Sequence, residues 1–178
     1  LDLANPADRE FYLRKAVEHG WSRTILVHQI ESGLHLRQGK AINNFSRTLP
    51  VHQSELAAQI LKDPYIFDHL ELSEEAHERD LEKALLTHLK EFLLELGSGF
   101  AFVGSQVPMR VGAKEYSIDL LFYHLRVRCY VVIDLKMRDF EAEFASKLNM
   151  YLSAIDDRLR HEDDNQTVGL ILCQKRDR

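Results

Sequence analysis

Three charged side chains are spaced in a way that could support metal-assisted chemistry. Asp134 and Lys136 lie two residues apart in a strand-like run over residues 129–136, and Asp119 lies in the preceding run over residues 115–123. Side chains alternate across a strand with a period of two, so Asp134 and Lys136 share one face. The pattern therefore predicts carboxylates on two neighbouring strands, with a lysine beside one of them.

Two carboxylates in otherwise apolar runs repel each other, and an unpaired charge there is costly. The protein can protonate one acid, bring in a cation, or leave both acids at a solvated strand end. Mg²⁺ suits the second solution, because it prefers one or two carboxylates together with waters and substrate phosphate. Such a site has the parts for phosphodiester hydrolysis, with Lys136 holding the attacking water or stabilising the developing charge. The alternative is a structural acid–acid–lysine triplet near a sheet edge.

The connection between the two runs predicts how they pair. A four-residue connection over residues 125–128 would pair His124 with Cys129. Counting back along both strands then brings Asp119 opposite Asp134, with Cβ atoms about 4.5–5.5 Å apart. Asp-x-Lys alone is a weak pattern, and the upstream aspartate at matching register strengthens the hypothesis.

A third carboxylate is predicted on the helix that precedes the strands. Leucines spaced by three or four residues form an apolar stripe along residues 73–96, and Glu82 falls near the centre of that stripe. Glu78 falls near it one turn earlier. A glutamate on the buried side of a helix either extends to solvent or serves a site. We favour Glu82 because it lies deeper in the stripe.

The surrounding pattern predicts an α/β domain preceded by helices. Helical periodicity and capping residues predict helices at residues 8–18, 22–38, 53–62, 73–96 and 140–160. Apolar runs between turn residues predict strands at residues 100–107, 115–123, 129–136 and 168–173. The resulting order is αβββαβ, with a mixed central sheet flanked by helices. The predicted division is a helical segment over residues 1–62, a linker over 63–72 and an α/β domain over 73–178.

Five further side chains could contact a nucleic acid, and each has a structural alternative. Gln106 stands at the end of the first predicted strand and could reach the cleft. Arg126 and Arg128 lie at a hairpin tip and could contact phosphates. Lys147 and Tyr151 share one flank of the helix at 140–160 and could contact phosphate or position the site. The alternative for Gln106 is a polar residue at a strand end, and for the two arginines it is a solvated turn. The alternative for Lys147 is a solvated helix face, and for Tyr151 it is a place at the edge of the core.

Composition limits the classes of protein that the chain could be. Hydrophobic residues make up 45% and charged residues 29% of the 178 residues, which is typical of a globular protein. The net charge of −5 excludes nucleic-acid binding through overall charge. No run approaches the roughly 18–20 apolar residues of a membrane span, so no membrane partner is predicted. Cys129 and Cys173 are expected to be free thiols in a reducing cytoplasm.

Short motifs around these residues resemble a known group of enzymes. The segment IDLL at residues 118–121, followed by VVIDLK at residues 131–136, resembles the PD-(D/E)XK nuclease superfamily. The resemblance is closer still to YhcG-like bacterial proteins, in which a helical N-terminal domain precedes a PD-(D/E)XK domain. It covers essentially the whole chain, with residues 1–50 resembling only the tail of the helical domain. Because the chain begins with Leu1 rather than Met, we expect a longer natural protein.

The resemblance implies a restriction-endonuclease-like fold and a Mg²⁺-dependent nuclease, with Mn²⁺ as a substitute metal. Asp119 and Asp134 would bind the metal, Lys136 would serve the nucleophilic water, and Glu82 would be an accessory acid. The sequence departs from the motif at Ile118, where the superfamily often has proline. It also has aspartate at position 134, where many members have glutamate.

The expected protein is therefore a cytoplasmic bacterial nuclease that acts on DNA in preference to RNA. A homodimer is a further expectation, because many members of the superfamily act as dimers. The alternative is a nucleic-acid-binding or assembly module that kept the fold and lost turnover. The intact set of Asp119, Asp134 and Lys136 favours the enzyme.

Overall fold

A computed structural model describes residues 3–40, 43–62, 65 and 77–173. Most of the predicted linker over residues 63–72, and the first residues of the helix predicted to start at Ser73, lie outside the described residues. Contacts between Cα atoms group the chain into two compact units. Unit 1 comprises Leu1–Phe67 and Leu93–Ser98, and unit 2 comprises Asp68–Phe92 and Gly99–Arg178.

The described part of unit 1 is mainly helical. Asn5 caps the first helix by accepting a 3.0 Å hydrogen bond from the backbone N–H of Ala7, and Gly20 ends this helix with a φ of 61°. Predicted helices 8–18 and 53–62 correspond to the first and last of the set. The helices are α1 (Pro6–His19), α2 (Arg23–Glu31), α3 (Leu34–Arg37), α4 (Phe45–Thr48) and α5 (Val51–Ile60).

The prediction of one continuous helix over residues 22–38 is wrong. Ser32 and Gly33 separate α2 from α3, and Gly33 has a φ of 62°, which a right-handed helix cannot accommodate. The pattern of apolar residues continues across this break, so periodicity did not reveal it. The four-residue helix α4 has no counterpart among the predicted elements.

Unit 2 has the predicted α/β architecture. Strands β1 to β3 form antiparallel pairs and β4 joins β3 in parallel, so the sheet is mixed with the order β1-β2-β3-β4. Helices precede β1 and connect β3 to β4, which confirms the αβββαβ order. The elements are α6 (Glu78–Thr87), α7 (Leu89–Leu96), β1 (Phe100–Val111), β2 (Lys114–His124), β3 (Cys129–Leu135), α8 (Ala142–Arg158) and β4 (Val168–Leu172).

The predicted helix 73–96 is interrupted within its described part. His88 has φ −105° and ψ 38° and separates α6 from α7. The Thr87 hydroxyl donates to the backbone oxygen of Lys83, and this type of back-bonding bends helices. The division between the two units also falls inside α7. Within the part of the chain that the structure describes, none of the helices has the length and apolar character that a membrane span requires.

Helices cover both faces of the sheet in unit 2. Helix α8 packs on the face that carries Leu121 and Val132, where Leu148 joins the buried core. Phe92 of α7 contacts Phe122, which points to the opposite face because side chains alternate along β2. This two-sided burial explains why β3 is apolar over nearly its whole length.

Strand β1 is longer than predicted. Pro108 lies inside it rather than ending it, because β1 is an edge strand of the described sheet and pairs with β2 alone. The pairing of β1 with β2 continues to Val111 and Lys114, with Gly112 in the turn at a φ of 63°. A register shift between Phe102 and Gly104 makes the other end of the strand irregular.

Candidate active site

The aspartates on β2 and β3 lie where the pairing of these strands ends. His124 pairs with Cys129 as predicted, and the register continues to Leu120 and Ile133. One residue further, the same register places Asp119 and Asp134 at facing positions. There Asp119 Oδ2 accepts a 2.9 Å hydrogen bond from the backbone N–H of Leu135. The Asp119 side chain therefore binds β3 where backbone pairing stops.

Asp134 is a buried carboxylate with a lysine beside it. Its exposed fraction is 1%, and Lys136 Nζ lies 2.7 Å from Asp134 Oδ2. By distance this contact is an ion pair, but its geometry is not that of a hydrogen bond. Among the described residues, Asp134 Oδ2 thus has no hydrogen-bond partner. The carboxylate retains acceptor capacity that a buried anion normally uses.

Lys136 is held at the end of β3 by several contacts. Its ammonium donates a 2.9 Å hydrogen bond to the backbone oxygen of Leu135 and lies 5.3 Å from the centroid of the Phe144 ring. Its backbone N–H donates to Leu172 on β4. These contacts keep the ammonium next to Asp134.

Asp119 lies in an environment that disfavours its charge. Burial raises the pKa of Asp119, the hydrogen bond from Leu135 opposes that rise, and the Asp134 carboxylate adds to it. The ammonium groups of Lys136 and Lys147 lower the pKa without cancelling the increase. Two acids in such mutual repulsion are stabilised by a cation between them.

Helix α6 brings two glutamates to the same end of the sheet. Glu82 is buried, with 8% of its surface exposed, and accepts a 2.5 Å hydrogen bond from Gln106 Nε2. Glu78 Oε1 accepts a 3.4 Å hydrogen bond from the backbone N–H of Met137. Hydrogen bonds from its own backbone and from Met137, with the charge of Lys136, lower the pKa of Glu78 against the effect of burial. Both helix acids are therefore near the strand ends, and the preference for Glu82 stays a prediction.

Gln106 lies in the same transverse row as the aspartates. On β1, Ser105 pairs with Leu120 and Val107 pairs with Ile118, so Gln106 occupies the position that faces Asp119. The side chain of Gln106 extends to Glu82. The predicted proximity of Gln106 to the acidic site therefore has a structural basis, whereas its contact with nucleic acid stays a prediction.

Lys147 and Tyr151 form a pair on α8. The Lys147 ammonium lies 5.3 Å from the centroid of the Tyr151 ring. Partial burial would lower the pKa of Lys147, but the Tyr151 hydroxyl and the carboxylates of Asp134 and Asp119 raise it overall. Lys147 is exposed and Tyr151 is buried. The pair therefore presents a stable positive charge toward the acidic site.

Arg126 and Arg128 lie apart from this group. Both are exposed in the turn between β2 and β3. Asp119 is five residues from the end of β2 at His124, which corresponds to about 17 Å at about 3.4 Å per residue. Any contact of these arginines with nucleic acid would be remote from the aspartates.

The two aspartates fit a divalent cation that is bound through few protein ligands. Among the described residues, no group of three His, Cys, Asp or Glu side chains is arranged to hold a metal ion. Mg²⁺ does not require such a group, because waters and substrate phosphate complete its coordination. Such an ion would add a ligand contact at Asp134 Oδ2, which receives no hydrogen bond from the described residues, and would favour the charged form of Asp119.

Two contributors to the site were not identified from the sequence. Ser117 donates a 2.9 Å hydrogen bond from its hydroxyl to Gln106 Oε1. Its position two residues before Asp119 on β2 was a signal that could have identified it. Phe144 lies beside the ammonium of Lys136, but its place in the helical stripe gave no indication of that contact.

Two sequence comparisons show the family to which the chain belongs. The family described as the YhcG PDDEXK nuclease domain matches residues 58–178. A protein of Escherichia coli (strain K12), named "Putative nuclease YhcG", is 35% identical over 99% of this chain. The chain spans about half the length of that relative, 48%. A solved structure titled "crystal structure of a repair endonuclease from Pyrococcus abyssi" is 19% identical with a TM-score of 0.42, covering 59% of this chain and 42% of that one.

Proposed function

The chain belongs to the YhcG PDDEXK nuclease domain family, and from that membership we propose that it is a Mg²⁺-dependent nuclease that hydrolyses phosphodiester bonds. We propose DNA in preference to RNA as its substrate, and Mn²⁺ as a metal that can replace Mg²⁺. One observation carries the proposal. The buried Asp134 carboxylate faces the position of Asp119, and its Oδ2 lies 2.7 Å from the Lys136 ammonium without a hydrogen bond from any described residue.

Asp119 and Asp134 would hold the metal ion. When bound, Mg²⁺ would supply positive charge to the scissile phosphate and make a bound water more acidic. The two carboxylates come from adjacent strands, so the rigid sheet would set their separation. The hydrogen bond from Leu135 to Asp119 Oδ2 fixes one of these carboxylates and leaves its other oxygen for the ligand.

Lys136 would act on the nucleophile and on the developing charge. Its ammonium has three N–H donors, and its polar contacts among the described residues are with Asp134 and with the backbone oxygen of Leu135. A remaining donor can orient the attacking water or stabilise negative charge on the phosphate oxygens. The Phe144 ring, with its centroid 5.3 Å from the ammonium, adds a cation–π contact at this position.

Lys147 would help to hold the substrate backbone. Its exposed ammonium belongs to the Lys147–Tyr151 pair and interacts electrostatically with both aspartates. A phosphate that approaches the acidic site requires a compensating cation, and a lysine on α8 provides one. We assign the same role, at a distance from the cut, to Arg126 and Arg128.

The experiment that tests the proposal measures cleavage of plasmid DNA, single-stranded DNA and RNA with Mg²⁺, Mn²⁺ or EDTA. The parent chain is compared with Asp134→Asn and Lys136→Met. Asp157→Asn is the matched control, because Asp157 is an exposed acid elsewhere on α8. Loss of a ligand or of the lysine should lower cleavage at least about 100-fold, beyond the 10–100-fold typical of outer-shell partners.

Two outcomes would count against the enzyme. Equal cleavage by the parent and Asp134→Asn would identify a contaminating nuclease. Binding of DNA without metal-dependent cleavage would instead indicate a binding or assembly module on the same fold.

We also propose a bacterial, cytoplasmic protein. Cys129 and Cys173 are free thiols, which suit a reducing compartment. A homodimer stays a prediction, and sedimentation equilibrium of the full chain would test it.

A further inference from the structure

Gln106 adopts an unusual backbone conformation at the acidic site. Its φ is 47°, in the left-handed region that residues other than glycine seldom adopt. The residues on either side of Gln106 pair regularly with Leu120 and Ile118, so the distortion is confined to the position that faces Asp119. Strain of this kind persists only where surrounding contacts hold it, and it clusters at functional sites.

Both polar ends of the Gln106 side chain are engaged. Nε2 donates to Glu82 Oε2 at 2.5 Å, and Oε1 accepts from the Ser117 hydroxyl at 2.9 Å. An ionised carboxylate can only accept, so the amide nitrogen must face Glu82. The Ser117 hydroxyl then donates to the oxygen on the other side. Glu82 therefore sets which end of the amide faces it, and Ser117 anchors the other end of the Gln106 side chain.

The Glu82 carboxylate accepts the hydrogen bond from the Gln106 amide. It is buried on α6, where a charged group without a donor would be costly. A charge-assisted hydrogen bond from an amide whose orientation is fixed holds the carboxylate in one direction. Ser117 lies two residues before Asp119 on β2, so the connection begins near a predicted metal ligand.

We infer that Gln106, anchored by Ser117, is a positioning residue that holds the Glu82 carboxylate toward the site formed by Asp119 and Asp134. The inference rests on the proposed nuclease function and adds two residues that act through a third. Gln106 and Ser117 do not contact the reacting atoms in this role. Loss of either side chain should therefore lower kcat and leave KM nearly unchanged, because neither residue binds the substrate in this role.

The first experiment is a double-mutant cycle on cleavage kinetics. Gln106→Met keeps the length of the side chain and removes the amide, and Ser117→Ala removes the hydroxyl. Each should lower kcat by roughly tenfold or more, as outer-shell partners do, and the double variant should be no slower than Gln106→Met. Ser117→Thr keeps the hydroxyl and should restore most of the activity. Ser153→Ala, an exposed serine on α8, is the matched control.

Several kinetic results would overturn the inference. Multiplying losses in the double variant would show that the two residues act independently. A raised KM with unchanged kcat would place Gln106 in substrate binding. Failure of Ser117→Thr to recover activity, with its fold intact, would exclude the hydroxyl as the group that anchors Gln106.

Gln106→Gly separates positioning from structural support. Glycine adopts a φ of 47° without strain, so this variant should melt above Gln106→Met, which leaves Glu82 equally without its donor. Its kcat should nevertheless fall as far as that of Gln106→Met. A lowered melting temperature with parent-like kcat would mean that the side chain serves only the fold.

A measurement without substrate or metal distinguishes failure of this inference from failure of the nuclease function. The side-chain N–H signals of Gln106, assigned by their loss in Gln106→Met, should shift in Glu82→Gln and in Ser117→Ala. They should not shift in Ser153→Ala. If the Gln106 signals do not shift in Glu82→Gln or in Ser117→Ala, Gln106 does not connect Ser117 with Glu82 and the inference is overturned. If the parent chain cleaves no nucleic acid, the proposed function is overturned.

Discussion

Leu148 lies directly against the backbone of Gly169, so closely that a Cβ atom at position 169 would be 2.5 Å from Leu148 Cδ2. This contact places α8 on β4, and β4 pairs in parallel with the strand that carries Asp134. The same helix carries Lys147 and Tyr151. The absence of a side chain at Gly169 therefore allows the helix to lie close to the acidic site.

Gly169→Ala should destabilise the chain by about 1–3 kcal/mol, the usual cost of overpacking a filled core. Leu148→Ala alone should cost about 2–5 kcal/mol, because it leaves a cavity. In the double variant the alanine at position 169 meets no leucine, so the combined loss should be smaller than the sum. Urea denaturation of all four proteins tests this, and strictly additive losses would contradict the close contact.

Asp119→Asn should separate stability from activity. Burial, with the charge of Asp134, raises the pKa of Asp119, so the ionised form is a cost to the fold at neutral pH. Asparagine keeps an acceptor for the Leu135 N–H and removes the charge. In metal-free buffer the free energy of unfolding should equal or exceed that of the parent, while cleavage falls at least about 100-fold. A clear loss of stability would show that the carboxylate is structurally favourable.

Lys62 gives unit 1 a specific pH dependence. Burial lowers the pKa of Lys62 to about 8 from 10.5, even though Glu95 at 3.7 Å favours the charged form and Arg37 opposes it. Between these values the unfolded chain binds the proton and the folded chain does not, so the contribution of Lys62 to stability rises with pH from about 8 to 10.5.

The test is the free energy of unfolding of the parent minus that of Lys62→Met, measured across this range. The difference should increase with pH, with a slope of up to about 1.4 kcal/mol per pH unit. Taking the difference removes other groups that titrate in both proteins, such as cysteine and tyrosine. A flat or falling difference would mean that Lys62 stays protonated in the folded chain.

Cys129 should be unreactive in the native protein. Burial raises the pKa of its thiol from 9.0 to about 12. This increase lowers the thiolate fraction at pH 8 by about 1,000-fold. In a Cys173→Ser background, alkylation should therefore occur only after addition of denaturant. Mass spectrometry measures the labelling, and rapid modification of the folded chain would show that the thiol is accessible.

Local patterns predicted much of the α/β unit correctly. The alternation around Asp119 and Asp134 predicted two strands, and the short connection predicted the pairing of His124 with Cys129. These features depend on neighbours in sequence, so the chain alone specifies them. Interruptions such as that at His88 were missed because an apolar stripe continues across a single non-helical residue.

Contacts between residues that are distant in sequence could not be predicted from these local patterns. Arg37 and Glu95 form a buried ion pair across 58 residues of sequence, at a distance of 2.5 Å. Nothing in the local pattern around either residue indicates its partner. The same is true of Gln106 and Glu82, which belong to a strand and a helix with separate periodicities.

The sequence by itself determined the order of the elements and the strand register that sets position 119 opposite position 134, because both follow from local periodicity and from one short turn. The tertiary structure decided the electrostatic state of these groups. Burial disfavours the charge of Asp119, and among the described residues Asp134 Oδ2 receives no hydrogen bond. It also places Gln106 between Ser117 and Glu82. Desolvation and hydrogen bonding depend on what packs around a side chain, and only the folded chain brings those neighbours together.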